Sequence, residues 1–116
     1  MMKKERVEKM EKKNIFSGIP DKISDELFET IVESHPVKIE RIISCGQATS
    51  EGTWYDQDLD EWVLLLRGSA EILFDGDEDP VTLNPGDHFR IHAHMRHRVT
   101  RTATAVPTVW LAVHFP

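Results

Sequence analysis

Side chains able to bind ions or move protons crowd into two stretches of this chain. The first, Trp54–Gly68 (WYDQDLDEWVLLLRG), sets two aromatics, a glutamine and a run of acids directly against the apolar residues Val63 to Leu66. The acids there would stand at the mouth of a core. The second, His92-x-His94-x2-His97, offers three imidazoles that could bind zinc. Asp56-x-Asp58-x-Asp60 begins like a calcium loop, yet Glu61 follows where that loop needs glycine and Arg67 stands where it needs a bidentate glutamate. It is rejected as one. Asp75, Asp77 and Asp79 fail the same test at Pro80 and Gly86, and read as a solvated turn. No nucleophile with a paired base, phosphate loop or redox CxxC points to another class of catalysis.

The elements that must position these groups are strands. Val63 to Leu66, stopped by Arg67-Gly68, is a short apolar run of the kind buried on both faces. Val37, Ile39, Arg41 and Ile43 alternate with Lys38, Glu40, Ile42 and Ser44 up to Gly46, which is the period of a strand. Glu26 to Glu33 holds the β-branched cluster Thr30-Ile31-Val32 and reads as a strand, although Ser24 could cap a short helix. Beyond Gly68 the strands are Ser69 to Phe74, Val81 to Leu83, His88 to Ile91, His97 to Thr102 and Thr108 to Phe115. Asp75–Pro80 and Asn84–Asp87 are turns between them. Short strands at such intervals indicate an all-β sandwich or barrel.

At 116 residues the chain is a single domain, able to bury roughly two thirds of its unfolded surface. Residues 1–13 are a charged amino-terminal tail, and 14–116 the folded body, with Ile15, Phe16 and Ile19 packed onto it. A net charge of -6 argues against nucleic acid as a partner, since phosphate binding relies on clustered Lys and Arg. The single Cys45 reads as a packing residue. With no signal-peptide core and no apolar run near membrane-spanning length, a cytoplasmic location without membrane association is expected.

Two of the stretches also match a known pattern in order and spacing. Glu61-x6-Gly68 fits the end of one motif, and Pro85-Gly86-Asp87 with the spacing on to His97 and His97-Arg98-Val99 fits a second. In this the chain resembles a cupin over roughly residues 37 to 115, which implies a jelly-roll β-barrel with a short amino-terminal extension. The family's first motif is G-x5-H-x-H-x3-4-E-x6-G. Counting back from Glu61, its paired histidines fall at Tyr55 and Gln57, or at Trp54 and Asp56 with the longer spacing; neither pair is histidine. In the second motif His92, His94 and Arg101 replace proline, glycine and asparagine, while His97 keeps its place. The resemblance thus implies a metal site reduced to Glu61 and His97. Gln57, with Tyr55 or Asp56, completes a set that a divalent Fe, Mn, Ni or Zn ion could accept. The alternative is a metal-free pair in which the two groups satisfy each other. His92 and His94 fall in a loop at the pocket rim.

Parity along the strands extends the reading. With Glu61 inward, Val63 and Leu65 are inward too; Trp62, Leu64 and Leu66 face out and need a cover, either Ile15 to Val32 or a second subunit. A homodimer through this face is expected. With His97 inward, Arg101 is also inward, where it would meet an anionic ligand or pair with a carboxylate; Asp58 and Asp60 are expected to be solvated. Trp110 and His114 share one face of the last strand and would wall the pocket. The functional expectation is a metal-holding barrel that binds a small polar or anionic molecule, with Tyr55 or His114 handling protons if it is an enzyme. A metal-free binding or sensing module and a barrel kept only for assembly are the alternatives.

Overall fold

The computed structural model describes residues 10–116. The charged tail expected for residues 1–13 therefore lies largely outside the described residues. Eight strands follow, with no helix among the described residues. They are β1 (Leu27–Ser34), β2 (Val37–Ser44), β3 (Asp60–Arg67), β4 (Ala70–Phe74), β5 (Val81–Leu83), β6 (His88–Ile91), β7 (His97–Thr102) and β8 (Thr108–Phe115). The β-branched cluster of Thr30, Ile31 and Val32 does lie in a strand, because β1 pairs along nearly all of β2.

The strands form two antiparallel sheets, a five-stranded one in the order β1-β2-β8-β3-β6 and a three-stranded one in the order β5-β4-β7. This is the expected jelly roll, with its two sheets facing each other rather than closed into a cylinder by continuous pairing. The core lies between them. Ile42, Val63, Leu65 and Trp110 from the larger sheet meet Ala70 and Ile72 from the smaller. Full burial of one such side chain, as at Leu65, contributes about 2 kcal/mol.

Alternation along β3 works as its sequence implies: Glu61, Val63 and Leu65 are buried, whereas Trp62, Leu64 and Leu66 are half-exposed on the outer face. The amino-terminal segment packs onto the body at another place. The Arg41 guanidinium donates to the carbonyls of Ile15 (2.9 Å) and Ser17 (2.6 Å), and the Gln47 amide donates to Ile23 O at 2.9 Å. This segment therefore docks at the β1–β2 end.

Candidate functional site

Between the sheets lies a cavity of about 260 Å³ with a mostly apolar wall and a polar end. Each polar group arrives by strand register. Glu61 on β3 stands opposite His114 on β8, and Glu40 on β2 opposite Ala112, so parity sends all three side chains inward. His97 begins β7 opposite Phe74. Tyr55 forms an isolated bridge with it: Tyr55 N–H donates to His97 O at 2.7 Å, and His97 N–H to Tyr55 O at 3.1 Å. Since parity alternates, the bridge carries both Tyr55 and Gln57 to the cavity wall. The Tyr55 and His97 rings stack at 5.6 Å.

Glu61 is 7% exposed and His97 4%. They do not bond each other, since His97 Nε2 and Glu61 Oε1 are 3.9 Å apart, beyond hydrogen-bond reach. The Gln57 amide donates to that same Oε1 at 3.2 Å. His97 Nδ1 lies 2.8 Å from the carbonyl of Met95; a carbonyl only accepts, so the proton is on Nδ1 and Nε2 is left to face the cavity. His114 Nε2 bonds Glu40 Oε1 at 2.8 Å and lies 4.0 Å from Glu61 Oε2. Lys38 approaches the other oxygen of Glu40 at 3.6 Å. Thus Glu40 and Glu61 both have a nitrogen base or cation close by.

Glu26 is placed differently. Ser44 donates to its Oε2, and the indole N–H of Trp110 donates to Ser44 Oγ at 3.2 Å, which makes a chain from the core to the cavity rim. Burial is the main cause that pushes the Glu26 carboxyl above the ordinary glutamate range, against the lowering by Ser44. Burial, and then the charge of Glu26, also raise Tyr55, so its hydroxyl keeps its proton near neutral pH and serves as a donor rather than a phenolate ligand.

Most residues singled out from the sequence are gathered here: Tyr55, Gln57, Glu61, His97, Trp110 and His114 all line the cavity. Arg101 does not. Between Val99, opposite Ile72, and Arg101, opposite Glu71, β7 carries one extra residue, and this bulge reverses the parity. Arg101 therefore turns to the exterior, where Nε lies 3.4 Å from Glu71 Oε2. Asp60 needs a second correction. Rather than being solvated, it accepts from Arg90 Nε and from the Ala93 N–H, both at 2.8 Å, and these bonds hold its pKa down. Glu26 and Glu40 were not singled out from the sequence. Only the pairing of β2 with β8 reveals that Glu40 shares a face with His114, and nothing local marks Glu26.

One rim histidine, His94, braces the loop that carries Tyr55 and Gln57. His94, in the left-handed region at φ 64°, donates its N–H to Gln57 O at 2.8 Å, and its Nδ1 lies 2.7 Å from Asp56 Oδ1. The Asp56 bond is the main cause of a raised His94 pKa. A raised folded pKa stabilises the fold below the unfolded value of about 6.5, and the contribution disappears as pH rises through the folded one. Asparagine tolerates the same backbone region but does not titrate. The melting-temperature difference between wild type and His94→Asn should therefore be larger near pH 5.5 than near pH 8.5. An equal difference at both would remove His94 as a brace.

Two facing sheets with a polar-ended cavity between them define a small jelly-roll protein. The cupin domain family matches residues 45–114, and the chain belongs to that family. A putative mannose-6-phosphate isomerase from Ralstonia eutropha JMP134 is similar at 47% identity and a TM-score of 0.89, over 91% of this chain and 98% of its own. A cupin superfamily protein from Desulfitobacterium hafniense DCB-2 shares the fold at 20% identity and a TM-score of 0.73, over 92% of this chain and 93% of its own. The TT1209 protein from Thermus thermophilus does so at 21% identity and a TM-score of 0.74, over 92% and 98%. No match is found among the curated proteins.

The metal set implied by the family can be tested against these side chains. An imidazole nitrogen, a carboxylate and a neighbouring amide are donors a divalent first-row ion accepts, and the Met95 carbonyl orients His97 as an outer partner orients a metal ligand. Of the two pairs that could stand at the family's other histidine positions, Tyr55 and Gln57 line the cavity and Trp54 and Asp56 do not, and Tyr55 stays protonated. Among the described residues no three His, Cys, Asp or Glu side chains are gathered as a metal cluster, although Glu61 lies within 4.0 Å of both His97 and His114. The residues fit an open, low-affinity position rather than a closed one.

Proposed function

We propose that this cupin binds a small polar organic molecule in the cavity and can hold a divalent Fe, Mn, Ni or Zn ion at Glu61 and His97, with Gln57 beside them. The observation that carries the metal reading is the orientation of His97, whose Nδ1 is tied to Met95 O while Nε2 faces Glu61 at 3.9 Å. The ion would polarise a ligand oxygen at the polar end. Tyr55 would offer a proton there, and His114, backed by Glu40, is the group placed to accept one if the protein is an enzyme. Equilibrium dialysis with elemental analysis should find near-stoichiometric metal in wild-type protein reloaded after chelation. The Glu61→Ala/His97→Ala double variant should lose at least about tenfold in affinity while keeping its far-UV spectrum. Equal uptake by both proteins, or none by the wild type, would refute the metal reading.

The metal-free alternative has one observation in its favour: Gln57 already satisfies one oxygen of Glu61 without an ion. Under that reading the same cavity serves binding or sensing alone. Anionic ligands are disfavoured under the metal-free reading, whereas a bound ion would supply the charge they need. A sugar phosphate, which the Ralstonia protein's name would suggest, needs a cation for its phosphate, and among the described residues no lysine or arginine lines the cavity.

The half-exposed outer residues Trp62, Leu64 and Leu66 support a homodimer through this face of the larger sheet. Light scattering should give the mass of two chains, and Leu64→Lys should reduce it to one. A wild-type monomer at tens of micromolar would remove the dimer. The free Cys45 suits a reducing compartment, and the proposed site of action is the cytoplasm.

A further inference from the structure

Three carboxylates line the cavity, and they are not equivalent. Glu40 has His114 at 2.8 Å and Lys38 at 3.6 Å, and Glu61 has His97 at 3.9 Å and His114 at 4.0 Å. Glu26 makes no ion pair among the described residues; its hydrogen bond is the one from Ser44 to Oε2, which leaves Oε1 for another donor. Beside it the cavity wall carries two aromatic rings that solvent reaches, Phe28 at 50% exposure and Tyr55 at 37%. Tyr55 is close enough for the charge of Glu26 to act on its hydroxyl. Further in, the wall is apolar, with Ile42, Val63, Ile72, Ile91 and Val99.

A half-buried carboxylate without a cation, sharing its cavity wall with aromatic rings and with hydrocarbon, is the arrangement that recognises an organic ammonium group. The charge pairs with the carboxylate, the ring quadrupoles attract it, and the apolar body of the ligand enters the core. We propose that the cavity ligand is an organic amine, bound with its ammonium at Glu26 between Phe28 and Tyr55 and its apolar part among Ile42, Val63 and Ile72. The proposal rests on the reading of this cavity as a ligand site, and it does not require a metal. Glu26 is then the residue that selects the ligand's charge, while Ser44 and Trp110 position its carboxylate.

The test uses three probes of equal length on chelator-treated, full-length protein: n-hexylammonium, 1-hexanol and hexanoate, titrated by calorimetry near pH 7.5. Hexylammonium should bind at least about tenfold more tightly than hexanol, and hexanoate should be the weakest. Glu26→Gln, which keeps the acceptor for Ser44, should bring hexylammonium to within about threefold of hexanol. Hexanol binding without a preference for the amine, or a preference that survives Glu26→Gln, would overturn the charge inference and leave the cavity reading standing. Failure of all three probes to bind would overturn both. The wild-type comparison stands even if the variant folds poorly.

Discussion

Replacing Trp110 by alanine is expected to lower the free energy of unfolding by about 4 kcal/mol, the range found when a large aromatic is cut from a core. Trp110 is 3% exposed and stands at the middle of β8, opposite Ile42 on β2 and Leu65 on β3. Its ring forms part of the wall between the sheets, so truncation enlarges an existing cavity that the flanking strands cannot close without breaking their pairing. The loss extends to the site, because the indole N–H donates to Ser44 Oγ and Ser44 holds Glu26. Trp110→Phe separates the two effects: it keeps most of the bulk but loses the donor, and should cost about 1 to 2 kcal/mol. Urea unfolding of the three proteins measures both numbers. A Trp110→Ala loss below about 1.5 kcal/mol would mean that the ring is not part of the packed core.

Gly68→Ala is expected to cost about 3 kcal/mol although it adds a single methyl group. Gly68 has φ +89°, and a Cβ there would lie 2.3 Å from Thr108 Oγ1 and 2.7 Å from Thr108 Cα. A side-chain hydroxyl could rotate away, but a backbone atom at the start of β8 cannot move without carrying the strand that pairs with both β2 and β3. Thr108 Oγ1 also donates to Ser69 O at 3.2 Å, so the clash disturbs the link between the sheets. Gly76 is the control: its φ is +96°, yet nothing lies within 4 Å of the added carbon, so Gly76→Ala should show only the conformational part, about 1 kcal/mol. If the two variants unfold at the same urea concentration, close approach at Thr108 is not what requires glycine at position 68.

Local pattern carried most of the fold. The alternation in Val37–Ser44, the apolar run after Glu61 and the Gly and Pro turns are statements about which face of a strand meets water, and a sequence makes them directly. The inward facing of Glu61, Val63 and Leu65 followed from parity alone because β3 has no irregularity between these residues. The same counting failed on β7. A bulge depends on how a strand matches its neighbour, not on the strand's own residue types, so Arg101 could not be placed on the outer face from its distance to His97.

The site divides along the same line. By itself, the sequence paired Glu61 with His97 through the resemblance of two motifs at a set distance, and it left Tyr55 and Gln57 or Trp54 and Asp56 as the residues beside them. The structure puts Tyr55 and Gln57 on the cavity wall. Only the tertiary structure decided what stands opposite them. Glu40 reaches His114, 74 positions further along the chain, because β2 and β8 are neighbours in the sheet. Glu26 precedes the first strand and becomes a pocket residue only through Ser44 and Trp110. Partners far apart in the chain are chosen by strand order and register, which minimise exposed apolar surface over the whole molecule rather than in any one segment.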